Sequence, residues 1–176
     1  MIKEPLLRMF RLISAIVLLA GPTMAQDTVQ TAGLPNPVVI GEASLGLIGI
    51  TAYDARLYTP SGAAFDWAAP MALELDYKRG FSAQDLIRGT EAELRRIEGD
   101  PDDIQTVISV LSECFYDVGK GDSYLAVGQA PDEIELWRNG TQTCTVTYPD
   151  IRKRFLSIWL SDDSRFTSLS RKLRGL

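Results

Sequence analysis

The chain has 176 residues, 45% of them hydrophobic, and its 18 Lys and Arg against 23 Asp and Glu leave a net charge of −5. That length and apolar content fit one globular domain, and an acidic chain without a basic stripe argues against nucleic acid as a partner, because phosphate binding depends on Lys and Arg. Two cysteines and no histidine exclude Ser-His-Asp and Cys-His catalysis, argue against a metal site, and leave acid–base work to Tyr, Lys, Asp, Glu or water.

In chain order, Lys3, Arg8 and Arg11 form a basic start, Leu12 to Ala20 an apolar run too short to span a bilayer, and Thr23-Met24-Ala25 a small-residue cleavage site. Residues 1–25 therefore read as a signal peptide, and the mature chain as periplasmic or secreted with no stable membrane anchor after cleavage. Its loss removes three basic residues and one acidic residue and takes the net charge from −5 to −7. Residues 26–37 are polar, contain Gly33, Pro35 and Pro37, and read as a flexible leader. The domain proper is expected over 38–176.

Val38 to Ile50, punctuated by three glycines, reads as a strand pair or one long bent strand. Thr51 to Thr59 is a strand in which Tyr53, Ala55 and Leu57 share one face and Asp54, Arg56 and Tyr58 the other. Met71 to Tyr77 is a further strand. Ser82 with Asp85 three residues on marks a helix start, with Phe81 and Leu86 as a hydrophobic staple. Asp100-Pro101 opens a second helix as cap and N1 proline, and Ile104, Val107, Ile108, Leu111, Cys114 and Phe115 give it a buried face. Gly119 to Asp122 reads as a turn, since the preceding glycine of a phosphate loop is missing, and no cofactor motif stands elsewhere.

Ser123 to Val127 and Glu133 to Arg138 are strands, and Asn139-Gly140 is a type I′ hairpin signal into Thr141 to Val146. Pro149 to Leu160 and Ser164 to Arg174 are helical, the latter with Phe166, Leu169 and Leu173 inward. The order predicts an α+β fold, an antiparallel sheet with a helical layer on one face. In an oxidising compartment Cys114 and Cys144 are candidates for a disulfide closing a loop of about 30 residues.

Several segments taken together resemble the bacterial chalcone isomerase-like family, the exported branch of the chalcone isomerase fold. They are GEASLGLIGITAYDARLYTP (Gly41 to Pro60), ALELDYKRGFSAQDLIRGTEAELRR (Ala72 to Arg96), the turn and strand at Gly119 to Val127, Arg138-Asn139-Gly140, and FLSIWLS (Phe155 to Ser161). The resemblance implies an open-faced sheet with helices over it and a cleft between. It also implies one of the family's roles: isomerase, fatty-acid binder, or a member without catalysis. Of the isomerase residues, the anion-holding Arg has no counterpart in Ile40 to Ala43, the Thr position falls near Tyr53, the Tyr position near Phe81 and the Asn position near Arg88. The fatty-acid-binding branch carries a Tyr where Tyr53 falls, though its partner Arg is missing too.

Tyr53, Arg56 and Tyr77 are the candidate ligand-binding residues, Tyr53 and Arg56 at the polar end of a cleft. Arg56 is either an anion receptor or an ion-pair partner of Asp54, Glu74 or Asp76, and a bulge or twist must intervene for it to share a ligand with Tyr53. Tyr53 and Tyr77 either donate into the cleft or bond backbone. Trp159 reads as packing, and Glu91 and Glu93 as a solvated helix face. The first functional reading is a non-catalytic binder of a small lipophilic or anionic molecule, of fatty-acid or phenolic type. An isomerase or intramolecular lyase with a rebuilt site, and a structural or partner-binding envelope protein, stand as alternatives.

Overall fold

Period-two alternation places two unlike surfaces on the two sides of one antiparallel sheet. The computed structural model describes residues 24–47 and 49–176. Its strands are β1 (Pro37–Leu47), β2 (Ile50–Pro60), β3 (Met71–Tyr77), β4 (Ser123–Gly128), β5 (Glu133–Arg138) and β6 (Thr141–Thr147). They form a single sheet in the order β1-β2-β3-β4-β5-β6. The stretch from Val38 to Ile50 therefore contributes most of β1 and the first residue of β2, and the basic and apolar segments of the expected signal peptide lie outside the described residues.

Met71, Leu73, Leu75 and Tyr77 alternate inward along β3 and meet Leu57, Ala55 and Tyr53 of β2 in register. Over this inner face lie α2 (Ala83–Glu98), α3 (Ile104–Ser112), α4 (Ile151–Leu160) and α5 (Thr167–Leu173). The α2 start follows its sequence signal: the Ser82 hydroxyl accepts the Asp85 N–H and the Asp85 carboxylate accepts the Ser82 N–H, a complete capping box. α3 begins later than expected. Residues 101–103 make a turn and Asp103, not Asp100, is the N-cap. Ile104, Val107, Ile108 and Leu111 then bury one stripe.

The Asn139-Gly140 turn joins β5 to β6 with Arg138 opposite Thr141, both turn residues at positive φ (50° and 78°) as a type I′ turn requires. α5 lies against β1, where Gly41 leaves no room for a side chain: a Cβ there would meet the Lys172 and Leu173 carbonyl oxygens at 2.2 Å.

The outer face corrects the expectation of a flexible leader. Residues 24–31 form a helix, α1 (Met24–Thr31), and Val29, Ala32 and Leu34 are buried against Tyr58, Ala72, Leu125 and Val127. Few apolar residues mark this segment, but three suffice to cover the apolar strip that alternation places on the outer side of β2, β3 and β4.

Cys114, just past α3, is bonded to Cys144 on β6, with Cα atoms 5.3 Å apart and a sequence separation of 30. The bridge ties the helical layer to the far edge of the sheet. Replacing both cysteines by alanine is expected to lower stability by about 3 kcal/mol, because the unfolded chain regains the conformational entropy that the closed loop denies it. Urea unfolding measures this, and an unchanged midpoint would show that the bridge contributes nothing.

Candidate functional site

A cleft of about 220 Å³ opens between the inner sheet face and the helices. Its floor is Tyr53, Leu73, Leu75, Tyr77, Tyr124, Ala126 and Leu136, and its roof comes from α2 and α4 with Phe81 and Phe115 beside them. A second cleft of about 180 Å³ lies under α5, walled by Ala43, Leu45, Ala55, Phe166, Leu169 and Leu173. Tyr53, Glu93, Ile158 and Trp159 line both. Within this shared wall Trp159 Nε1 donates to the Tyr53 hydroxyl at 2.9 Å.

The polar groups of the larger cleft are few. Tyr124 is committed to structure: its hydroxyl donates to the Cys114 carbonyl at 3.1 Å and accepts the Tyr116 N–H at 2.8 Å. Asp85 at the rim is committed to the α2 cap and to Arg88, and the Ser82 hydrogen bonds hold its carboxyl below the usual range. The two remaining phenols are different. Tyr53 accepts from Trp159, but its own O–H has no acceptor among the described residues. Tyr77 is 5% exposed, packs edge-on to Tyr53, Phe81 and Tyr124, and its hydroxyl has no hydrogen-bond partner among the described residues. The Tyr77 oxygen is not among the fully enclosed unpartnered atoms of the described residues, so these two phenols on neighbouring strands line the cleft with O–H donors that no acceptor among those residues takes up.

Burial pushes the Tyr53 phenol up to about 12, against the pull of the Trp159 hydrogen bond, and burial likewise raises Tyr77. Both are neutral donors at any physiological pH and unsuited to act as bases there.

Of the three residues expected at a ligand, Tyr53 and Tyr77 share the larger cleft and Arg56 does not. β2 keeps an unbroken register with β3 from Tyr53 to Tyr58, so no bulge rotates Arg56 inward, and it stands on the outer face. There its Nε donates to Glu74 at 3.2 Å and its Nη2 to Asp76, while the Tyr58 hydroxyl donates to Glu74 at 2.8 Å. Arg56 is thus an ion-pair partner in a half-buried network, not an anion receptor in the cleft.

Two residues read otherwise from sequence belong to the site. Trp159 is a wall and latch rather than plain packing. Glu93 is not solvated: its side chain is 18% exposed, lines both clefts, and pairs with Arg96 at 2.8 Å and Arg165 at 2.6 Å. Burial works to raise its carboxyl, and the two arginines outweigh that and hold it low. The signal was present in the spacing, because Leu86, Thr90 and Glu93 recur at helical intervals on one stripe of α2.

The raised phenols make a prediction at high pH. A tyrosine held above its ordinary value of about 10 binds its proton more tightly when folded, so its stabilising contribution is full below pH 10 and is lost as pH rises toward 12. Ultraviolet titration is expected to show the cleft tyrosines ionising only with unfolding in that window. Ionisation of all six tyrosines near pH 10 in a folded protein would contradict the placement.

Neither a protein-family model nor any curated protein matches the chain. Among solved structures, the crystal structure of a fatty-acid binding protein from Arabidopsis thaliana is similar, with a TM-score of 0.59, 11% sequence identity, and coverage of 80% of this chain and 87% of that one. The likeness shows the fold: an α+β, six-stranded open antiparallel sheet with a helical layer, the chalcone isomerase-like architecture.

Proposed function

We propose that this chain is an exported, non-catalytic member of the bacterial chalcone isomerase-like group that holds a small lipophilic molecule, of fatty-acid or phenolic type, between the sheet and its helices. The observation that carries the reading is the pair of unspent phenol donors, Tyr53 and Tyr77, in a cleft whose other walls are almost wholly apolar. Apolar walls bind a hydrocarbon body, and fixed O–H donors orient one acceptor-bearing group. The similar Arabidopsis protein is a fatty-acid binding protein, which agrees in kind.

The clefts measure about 220 and 180 Å³, each below the range of about 300–1,000 Å³ usual for small-molecule sites and together within it. In this reading the ligand displaces the hydrogen-bonded Tyr53 and Trp159 side chains from the wall the clefts share and occupies both. Catalysis is disfavoured because the positions where the isomerases place their reactive groups are filled otherwise. No Arg stands in Ile40 to Ala43, and Phe81, which lines the cleft, has no hydroxyl. Removing one preorganised donor costs about 10²- to 10³-fold in rate.

Export is supported by the signal-like residues 1–25 and by the Cys114–Cys144 bridge, which suits an oxidising compartment. Among the described residues no helix is long and apolar enough to cross a membrane. Cleavage after Ala25 would shorten α1 only at Met24 and Ala25 and leave Val29 and Leu34 in place.

Fluorescence titration of the purified domain with fatty acids and flavonoid-like phenols is expected to give saturable binding below 100 μM, about −5.5 kcal/mol. Tyr77→Phe and Tyr53→Phe are each expected to weaken it by roughly 3- to 10-fold, and Arg56→Met, on the opposite face, to leave it unchanged. No binding by wild type at 100 μM, or a loss in Arg56→Met alone, would favour the structural, partner-binding alternative. A saturable chalcone cyclisation abolished by Tyr53→Phe would favour the isomerase.

A further inference from the structure

We propose that Arg165, on the segment between α4 and α5, is the receptor for the carboxylate of a long-chain monocarboxylic amphiphile seated where the two clefts meet; this rests on the ligand-binding reading above and names its head group. Glu93 is the starting point. It is one carboxylate with two guanidinium partners, Arg96 at 2.8 Å and Arg165 at 2.6 Å. If Arg165 leaves, Glu93 keeps Arg96 and no charge is stranded.

Arg165 is also the partner free to move. Its side chain is 55% exposed against 34% for Arg96, and it belongs to the connection after Leu160 rather than to a helix. An exposed ion pair contributes little, so exchanging its carboxylate for a ligand's costs little.

Arg165 lines the smaller cleft together with Tyr53, whose O–H has no acceptor among the described residues. A carboxylate at that point accepts the phenol proton on one oxygen and the guanidinium fork on the other, the geometry both donors favour. Neighbouring charges do not compete. Asp85 is held by Ser82 and Arg88, and Asp162 is paired with Arg174 at 2.5 Å. Glu93, Arg96 and Arg165 thus leave one positive charge in excess at the junction, on a chain whose net charge is −5.

That excess suits a monoanion. From the junction the hydrocarbon has two apolar directions, beneath Phe155 over Leu73 and Leu136, or beneath Leu169 over Ala43 and Leu45.

The experiment compares dodecanoate with 1-dodecanol, which has the same chain and no charge, on wild type, Arg165→Gln and Glu93→Gln. Wild type is expected to prefer dodecanoate by about tenfold, and Arg165→Gln to bring that ratio to about one. Glu93→Gln releases Arg165 and is expected to strengthen dodecanoate binding, a change opposite in sign to that of Arg165→Gln. An undiminished preference in Arg165→Gln, or weakened dodecanoate binding in Glu93→Gln, overturns the assignment of Arg165. Absence of binding of either compound to wild type overturns the ligand-binding reading itself.

Discussion

From Tyr53 to Tyr58 the second strand pairs with the third without a bulge, and successive side chains therefore go to opposite sides of the sheet. Everything else in the molecule is arranged around that alternation. Tyr53, Ala55 and Leu57 go inward to the helices, while Asp54, Arg56 and Tyr58 go outward. On the outer side a guanidinium in the middle of a strand requires carboxylates, and Glu74 and Asp76 stand opposite it on β3 to supply them. Lys78 closes on Asp54 at 2.8 Å, and α1 covers the apolar remainder. The charges of this region are consumed on the outer face, and of β2 and β3 only Tyr53, Leu73, Leu75 and Tyr77 line the larger cleft, so the polar groups these strands present to it are phenols.

The helical layer determines what those phenols meet. Tyr124 is tied to backbone at Cys114 and Tyr116, next to the disulfide, so one end of the cleft is rigidly built. At the other end the wall shared by two cavities includes Trp159 and Tyr53, joined by one hydrogen bond. Such a bond contributes about 1 kcal/mol net, little enough for a ligand to exchange it. A closed inner face with satisfied tyrosines would favour a structural domain; phenol donors without acceptors among the described residues are what supports the proposed binding role.

Much of the fold was legible because its signals are local. Ser82 with Asp85 caps a helix wherever an apolar stripe follows, and Asn139-Gly140 turns a hairpin because both residues accept positive φ. The opposite orientations of Tyr53 and Arg56 were legible for the same reason, and the carboxylates on β3 decide between the two readings of Arg56. Features that depend on distant surfaces were not legible. Asp100-Pro101 has the form of a helix start, yet the chain makes a turn first and caps at Asp103. The polar composition of 26–37 conceals a helix whose few apolar residues gain their burial only from the outer face of the sheet. Glu93 looks like surface charge until Arg165, far along the chain, folds over it.

The central claim, that the space between sheet and helices holds a small lipophilic molecule, is tested most directly by native mass spectrometry of the full chain after gentle purification. A population heavier than the bare chain by the mass of one small molecule is expected, released on activation and displaced by added fatty acid. A single species at the mass of the bare chain, unchanged after incubation with fatty acids or phenols, would contradict it.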